Sequence, residues 1–193
     1  MRVRRYGDSG QAFPIYITVV GGLLFLALAY FAVGQAAVNR NGAQTAADAA
    51  ALGAAMNTRD ELADLWVQNV LDPTKWQNIF DGRVDVADSC WRAEQLADQN
   101  DATAHCLSEP PLSYKVDAQT HKTVGDSVVP GTESIQSKAS ATAVIEPLCT
   151  FTLSGAGGVL PELTCKDRSW TLDPGDLAHL PGPKDLFDVH LAD

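Results

Sequence analysis

Hydrophobic and polar positions divide the chain into three stretches of different rhythm. No charge appears between Asp8 and Arg40, and Phe13 to Gly34 is almost wholly apolar. As a helix those 22 residues reach roughly 33 Å, enough to cross a bilayer core of about 30 Å. Phe25, Leu26, Leu28, Tyr30 and Phe31 cover every side of that helix, which suits lipid better than one-sided packing. Alanine dominates next, with Ala36, Ala43 and Ala50, joined by Ala47 and Ala54, on a seven-residue rhythm. A stripe of small side chains lets another helix approach closely. Alanine is also the best helix former, so the run alone predicts a helix. Asn39, Asn41 and Gly42 are weak points where that helix can bend.

Leu62, Leu65, Trp66, Val70 and Leu71 then fall at helical spacing, while Asp60, Glu61, Asp64 and Gln68 are polar. The helix should stop at Asp72, because a residue before proline is pushed out of helical geometry. A short helix is expected over 89–100, with Ser89 as its cap. From Leu112 the rhythm becomes that of strands. Tyr114, Val116, Ala118 and Thr120 alternate with Lys115, Asp117, Gln119 and His121. A second strand is expected over 135–145, and Pro130-Gly131 marks the turn between the two. Cys149, Phe151 and Leu153 suggest a third strand, which Gly155 to Gly158 loops back toward Leu163 and Cys165. Phe187, Val189 and Leu191 suggest a last one after a Pro/Gly-rich surface loop over 173–183.

The class is α+β, a long N-terminal helix followed by a small domain with an antiparallel sheet. The expected divisions are a basic tail over 1–12, a transmembrane helix over 13–34, a helical extension over 35–71 and an α+β domain over 72–193. Arg2, Arg4 and Arg5 precede the span, against Arg40 just after it. By the positive-inside bias the tail is cytoplasmic and the bulk of the chain extracellular, in a single-pass membrane protein. A cleaved secretory signal, ending near Ala27-Leu28-Ala29, is the rival reading. A buried helix of a soluble protein is a third.

Net charge is −10, and the tail through Asp8 carries +2, leaving −12 on the rest. That acidic surface offers no basic patch for nucleic acid. Cys90, Cys106, Cys149 and Cys165 all lie beyond the span. In an oxidising compartment they suggest disulfides, with three pairings possible. Cys90–Cys106 and Cys149–Cys165 are favoured because each closes one local unit. Zinc is the alternative, since His105 neighbours Cys106, but no C-x-x-C or close Cys/His pair supports it. Catalytic, metal and cofactor sites are not expected. His105, His121, His179 and His190 occur singly, and no nucleotide-binding or zinc-protease motif occurs. Gly7-Asp8-Ser9-Gly10 matches the sequence around a serine-protease nucleophile, but lies in a short tail with no domain around it.

Gly10-Gln11-Ala12-Phe13-Pro14-Ile15-Tyr16, the apolar helix and Ala46-Ala47-Asp48-Ala49-Ala50-Ala51-Leu52 together resemble the N-terminal signature of TadE/TadG-like proteins. These serve the Tad (Flp) branch of type IV pilus systems, and the form here looks most like actinobacterial members. The resemblance covers about residues 7–56. It implies a pilin-like exported domain and a non-enzymatic, membrane-anchored part of a pilus or its assembly platform, a minor pilin or pseudopilin-like component. The implied partners are the lipid bilayer and other Tad subunits or assembly proteins, met through the N-terminal helix and its alanine stripe. Prepilin peptidases cut after a glycine with a glutamate five residues on. Gly10-Gln11 would be that junction, but Ile15 stands where the glutamate is expected, which favours an unprocessed assembly factor. The alternative function is a membrane-anchored extracellular binding module unrelated to pili.

Overall fold

The structure, a computed structural model, describes residues 12–123, 134–153, 160–166, 168–175 and 179–192. The basic tail, the Gly10-Gln11 junction, the Pro130-Gly131 turn and the loop over 155–158 lie outside these. One uninterrupted helix, α1 (Ala12–Gln68), continues through Asn39, Asn41 and Gly42, the weak points named for a bend. At 1.5 Å per residue it is about 85 Å long. Pro14 sits in its first turn, where a missing N–H costs nothing. The helix ends at Gln68, three residues earlier than expected. There the bonds tighten to the i−3 pattern, Asn69 N–H reaching Trp66 O and Val70 N–H reaching Val67 O. The Trp76 indole N–H then takes the Asn69 carbonyl at 3.0 Å.

Two short helices follow, α2 (Trp76–Phe80) and α3 (Cys90–Gln99). Strands β1 (Ala102–Glu109), β2 (Ser113–Thr123), β3 (Gln136–Pro147) and β7 (Phe187–Leu191) form one antiparallel sheet in the order β1-β2-β3-β7. Strand β1 was not expected, because Ala102 to Glu109 mixes Ala, Thr, His and Cys with a single large apolar residue, Leu107. In β2 the alternation is as expected, with Tyr114, Val116, Ala118 and Thr120 buried. The third strand is only β4 (Cys149–Phe151), and it leaves the main sheet. It pairs with β5 (Leu163–Cys165), which pairs in turn with β6 (Arg168–Trp170). Helix α4 (Pro183–Leu186) leads into β7.

The core lies between the last 26 residues of α1, from Ala43 onward, and the inner face of the main sheet. The expected boundary at residue 72 therefore does not separate helix from domain, since this half of α1 is part of the domain. Large aromatics close the far end. Trp66 and Trp76 lie 5.4 Å apart, Trp76 meets Phe151 edge-on at 5.1 Å, and Phe80 joins Phe151 to Phe187. This run connects α1, α2, the small sheet and β7.

Disulfides join Cys90 to Cys106 and Cys149 to Cys165. The first ties α3 to the edge strand β1. The second spans the register pair that joins β4 to β5. Ser89 precedes α3 as expected but does not cap it. Its hydroxyl turns inward to Thr58 Oγ1 at 2.7 Å and accepts from Asn57 Nδ2. Thr58 also shares a 2.7 Å hydrogen bond with the Tyr114 hydroxyl. A buried hydroxyl without partners costs about 1–3 kcal/mol, so these groups satisfy one another. Asp88 takes the capping role, its carboxylate accepting from Cys90 N–H at 3.1 Å.

Helix α3 lies close on α1 because Gly53 has no side chain. A Cβ there would stand 2.1 Å from Leu96 Cδ1 and 3.3 Å from Leu96 Cγ. Gly53→Ala should be tolerated by a turn of Leu96, whereas Gly53→Val should cost about 1–3 kcal/mol by overpacking. Urea midpoints of the two variants check this. Equal midpoints would show that α3 is free to move away.

Candidate functional surface on the N-terminal helix

The first thirty residues of α1 project from the domain with their apolar side chains uncovered. Phe13, Ile15, Leu23, Leu24, Phe25, Leu26 and Phe31 are each more than 60% exposed. The most apolar 18-residue window has a mean hydropathy of 2.2 and none of it is buried within the chain. Soluble monomers rarely expose patches beyond a few hundred Å², and larger ones mark membrane or protein contacts. The Thr18 hydroxyl is suited to an apolar medium. Thr18 Oγ1 donates to the Pro14 and Ile15 carbonyls at 2.8 and 2.9 Å, inside the helix. Backbone groups in lipid must be satisfied internally, and a helix does that by itself.

The alanine stripe divides where the domain begins. Ala36 is exposed on the free helix. Ala43, Ala47, Ala50 and Ala54 have no exposed surface, and what covers them is the chain's own sheet and α3. In the folded domain these four are closed to a neighbouring subunit's helix. Sequence periodicity left open whether the run was a packing face or only a strong helix former.

The outer face of the main sheet is polar. Its register brings His105, Asp117 and Ser140 side by side on β1, β2 and β3. These residue types recur in hydrolases, but the order here is wrong for that chemistry. Asp117 lies in the middle and accepts the Ser140 hydroxyl proton, so the histidine is not the serine's base. His121 and His190 lie on exposed or half-exposed strand positions as expected. His121 Nε2 shares a 3.0 Å hydrogen bond with Thr103 Oγ1, and His190 Nδ1 is 3.4 Å from Asp188. Among the described residues no three His, Cys, Asp or Glu side chains cluster as metal ligands.

Where the free helix leaves the domain, a crook of about 590 Å³ opens. Its helix wall runs from Tyr30 and Phe31 through Gly34 and Val38 to Gly42. Its domain wall is the turn after α3 and the end of β2. Asp101 holds that turn with φ of 55°, a conformation aspartate tolerates better than most residues. The Asp101 carbonyl accepts from His121 N–H at 2.7 Å. Lys122 Nζ donates to Asp101 Oδ2 at 2.7 Å and so holds that carboxyl below the ordinary carboxylate range. Both side chains are mainly exposed. Sequence reasoning missed this crook, because its walls are some sixty residues or more apart along the chain.

Comparison with known proteins bears on the same helix. No curated protein and no solved structure matches the chain. A family model described as "Putative Flp pilus-assembly TadE/G-like" matches residues 10–57. That segment contains the exposed apolar helix and the buried alanine face, and stops before the sheet begins. Over residues 10–57, therefore, the chain is similar to the TadE/TadG-like family.

Proposed function

We propose that this protein is a membrane-anchored structural component of Flp/Tad-type pilus assembly, held by residues 13–34 with its N-terminus in the cytoplasm. The uncovered apolar helix within the family segment carries this reading. The three arginines of the tail support the orientation. Two disulfides suit a domain outside the cytosol. The domain packs the second half of α1 against an antiparallel sheet, which suits a structural part carried on an apolar stalk. Ile15, where a prepilin substrate would carry glutamate, favours an unprocessed assembly factor over a fibre subunit.

The test is the intact mass and N-terminal sequence of the chain from native membranes and from sheared surface material, in cells with and without the gene. An uncut chain in membranes, with pili lost on deletion, is the expected result. A chain that begins at Gln11 and occurs in sheared fibres would make it a processed pilin. Intact pili after deletion would overturn the pilus role and favour a surface binding module. Anchoring has its own check. Leu24→Arg, near the span's centre, should cost insertion about 3 kcal/mol while leaving the domain folded. Unchanged membrane recovery of that variant would count against the span.

A further inference from the structure

We propose that the crook beside the free helix holds one phospholipid of the leaflet nearest the domain, with a phosphate–ammonium headgroup. This rests on the membrane-anchored reading. The depth of the crook is the first argument. Measured along α1 from Phe13, Tyr30 and Phe31 lie about 26–27 Å up, Gly34 about 32 Å and Val38 about 38 Å. The hydrocarbon core ends near 30 Å, and the headgroup layer adds several ångströms more. The floor of the crook thus lies at the core boundary and its walls rise through the headgroup layer, continuous with the surface that faces lipid.

The order of chemistry along the crook is the second argument. Two aromatic groups, Tyr30 and Phe31, form the lower helix wall, with the polar Gln35 and Asn39 above them, while Asp101 and Lys122 stand on the domain wall, Asn39 Nδ2 lying 3.5 Å from the Lys122 carbonyl. A phospholipid has the same order, acyl chain below and charges above. Charge is the third argument. Lys122 and Asp101 are one cation and one anion 2.7 Å apart, on a domain of strongly negative net charge that would repel an anionic lipid surface. A phosphate on Lys122 and an ammonium on Asp101 replace that exposed pair with two matched contacts, and the net charge does not change. The volume, about 590 Å³, lies within the usual range of small-molecule sites.

The full chain in nanodiscs that contain phosphatidylethanolamine with a headgroup diazirine tests this. Label is expected on peptides from both walls, residues 30–42 and 100–123. Lys122→Glu should cut the label on 100–123 by about fivefold. Gly34→Leu with Gly42→Leu should cut it as well, by filling the helix wall. Nothing lies within 4 Å of a Cβ at either glycine, and an unchanged urea midpoint shows that this variant keeps the fold. A chain that enters the discs but takes label only on 30–42, or is indifferent to both variants, overturns the proposal and leaves the anchor standing. Discs that hold the chain as a dimer, with neither wall labelled, also overturn it, in favour of a second copy. A chain that does not enter the discs overturns the membrane reading and the proposal together.

Discussion

Replacing Trp66 by alanine is expected to lower domain stability by about 3–5 kcal/mol, the usual cost of removing a large buried aromatic. Trp66 has no exposed surface and packs against Trp76 at 5.4 Å, the first link of the aromatic run that joins α1 to both sheets. A cavity there uncouples α2 and Phe151 together, so the loss should exceed that of any single alanine-face change. The indole N–H of Trp66 has no hydrogen-bond partner among the described protein atoms. Trp66→Phe should therefore cost much less than Trp66→Ala, since it keeps an aromatic ring in the site and removes the unpaired donor. Urea unfolding followed by tryptophan fluorescence measures both. A double-mutant cycle with Trp76→Ala should give a coupling of about 0.5–1.5 kcal/mol. Leu24→Ala, equally apolar but uncovered, should leave the midpoint where it is. If Trp66→Ala behaves like Leu24→Ala, α1 is not seated in this core.

The two disulfides should fail differently when removed. Each closes a loop with a sequence separation of 16, worth about 3 kcal/mol by restriction of the unfolded chain. For Cys90→Ser with Cys106→Ser that cost should appear in the global midpoint. The bond joins α3 to β1, and both belong to the unit packed around α1. For Cys149→Ser with Cys165→Ser the loss should be local. The small sheet has three-residue strands, too short to persist alone, and it depends on the bond and on Phe151. Limited proteolysis should cut between residues 149 and 175 in that variant while the main sheet resists. Identical cleavage patterns for the two variants would show that the small sheet unfolds only with the rest. Both bonds join the residues favoured from sequence, because each pair lies close along the chain and closes a unit the strand pattern already outlined.

What sequence determined by itself was whatever local period and composition carry. The apolar span, the helical continuation through the alanines and the alternation in β2, β3 and β7 were legible, because each is a repeat read over a few neighbouring residues. The TadE/TadG-like signature was legible for the same reason, as three parts in order along one short stretch of chain. Tertiary structure decided what long-range packing controls. Ala43, Ala47, Ala50 and Ala54 have the same pattern whether they face another subunit or, as here, their own sheet. Ser89 reads as a cap until Thr58 and Asn57, 31 and 32 positions away, take its hydroxyl inward. Strand β1 has too few large apolar residues to announce itself, and forms because β2 and the Cys90–Cys106 bond hold it. The crook exists only because α1 is straight enough to carry Tyr30 and Phe31 past the end of β2. Periodicity along a chain shows which face is buried, and only the fold supplies the surface that buries it.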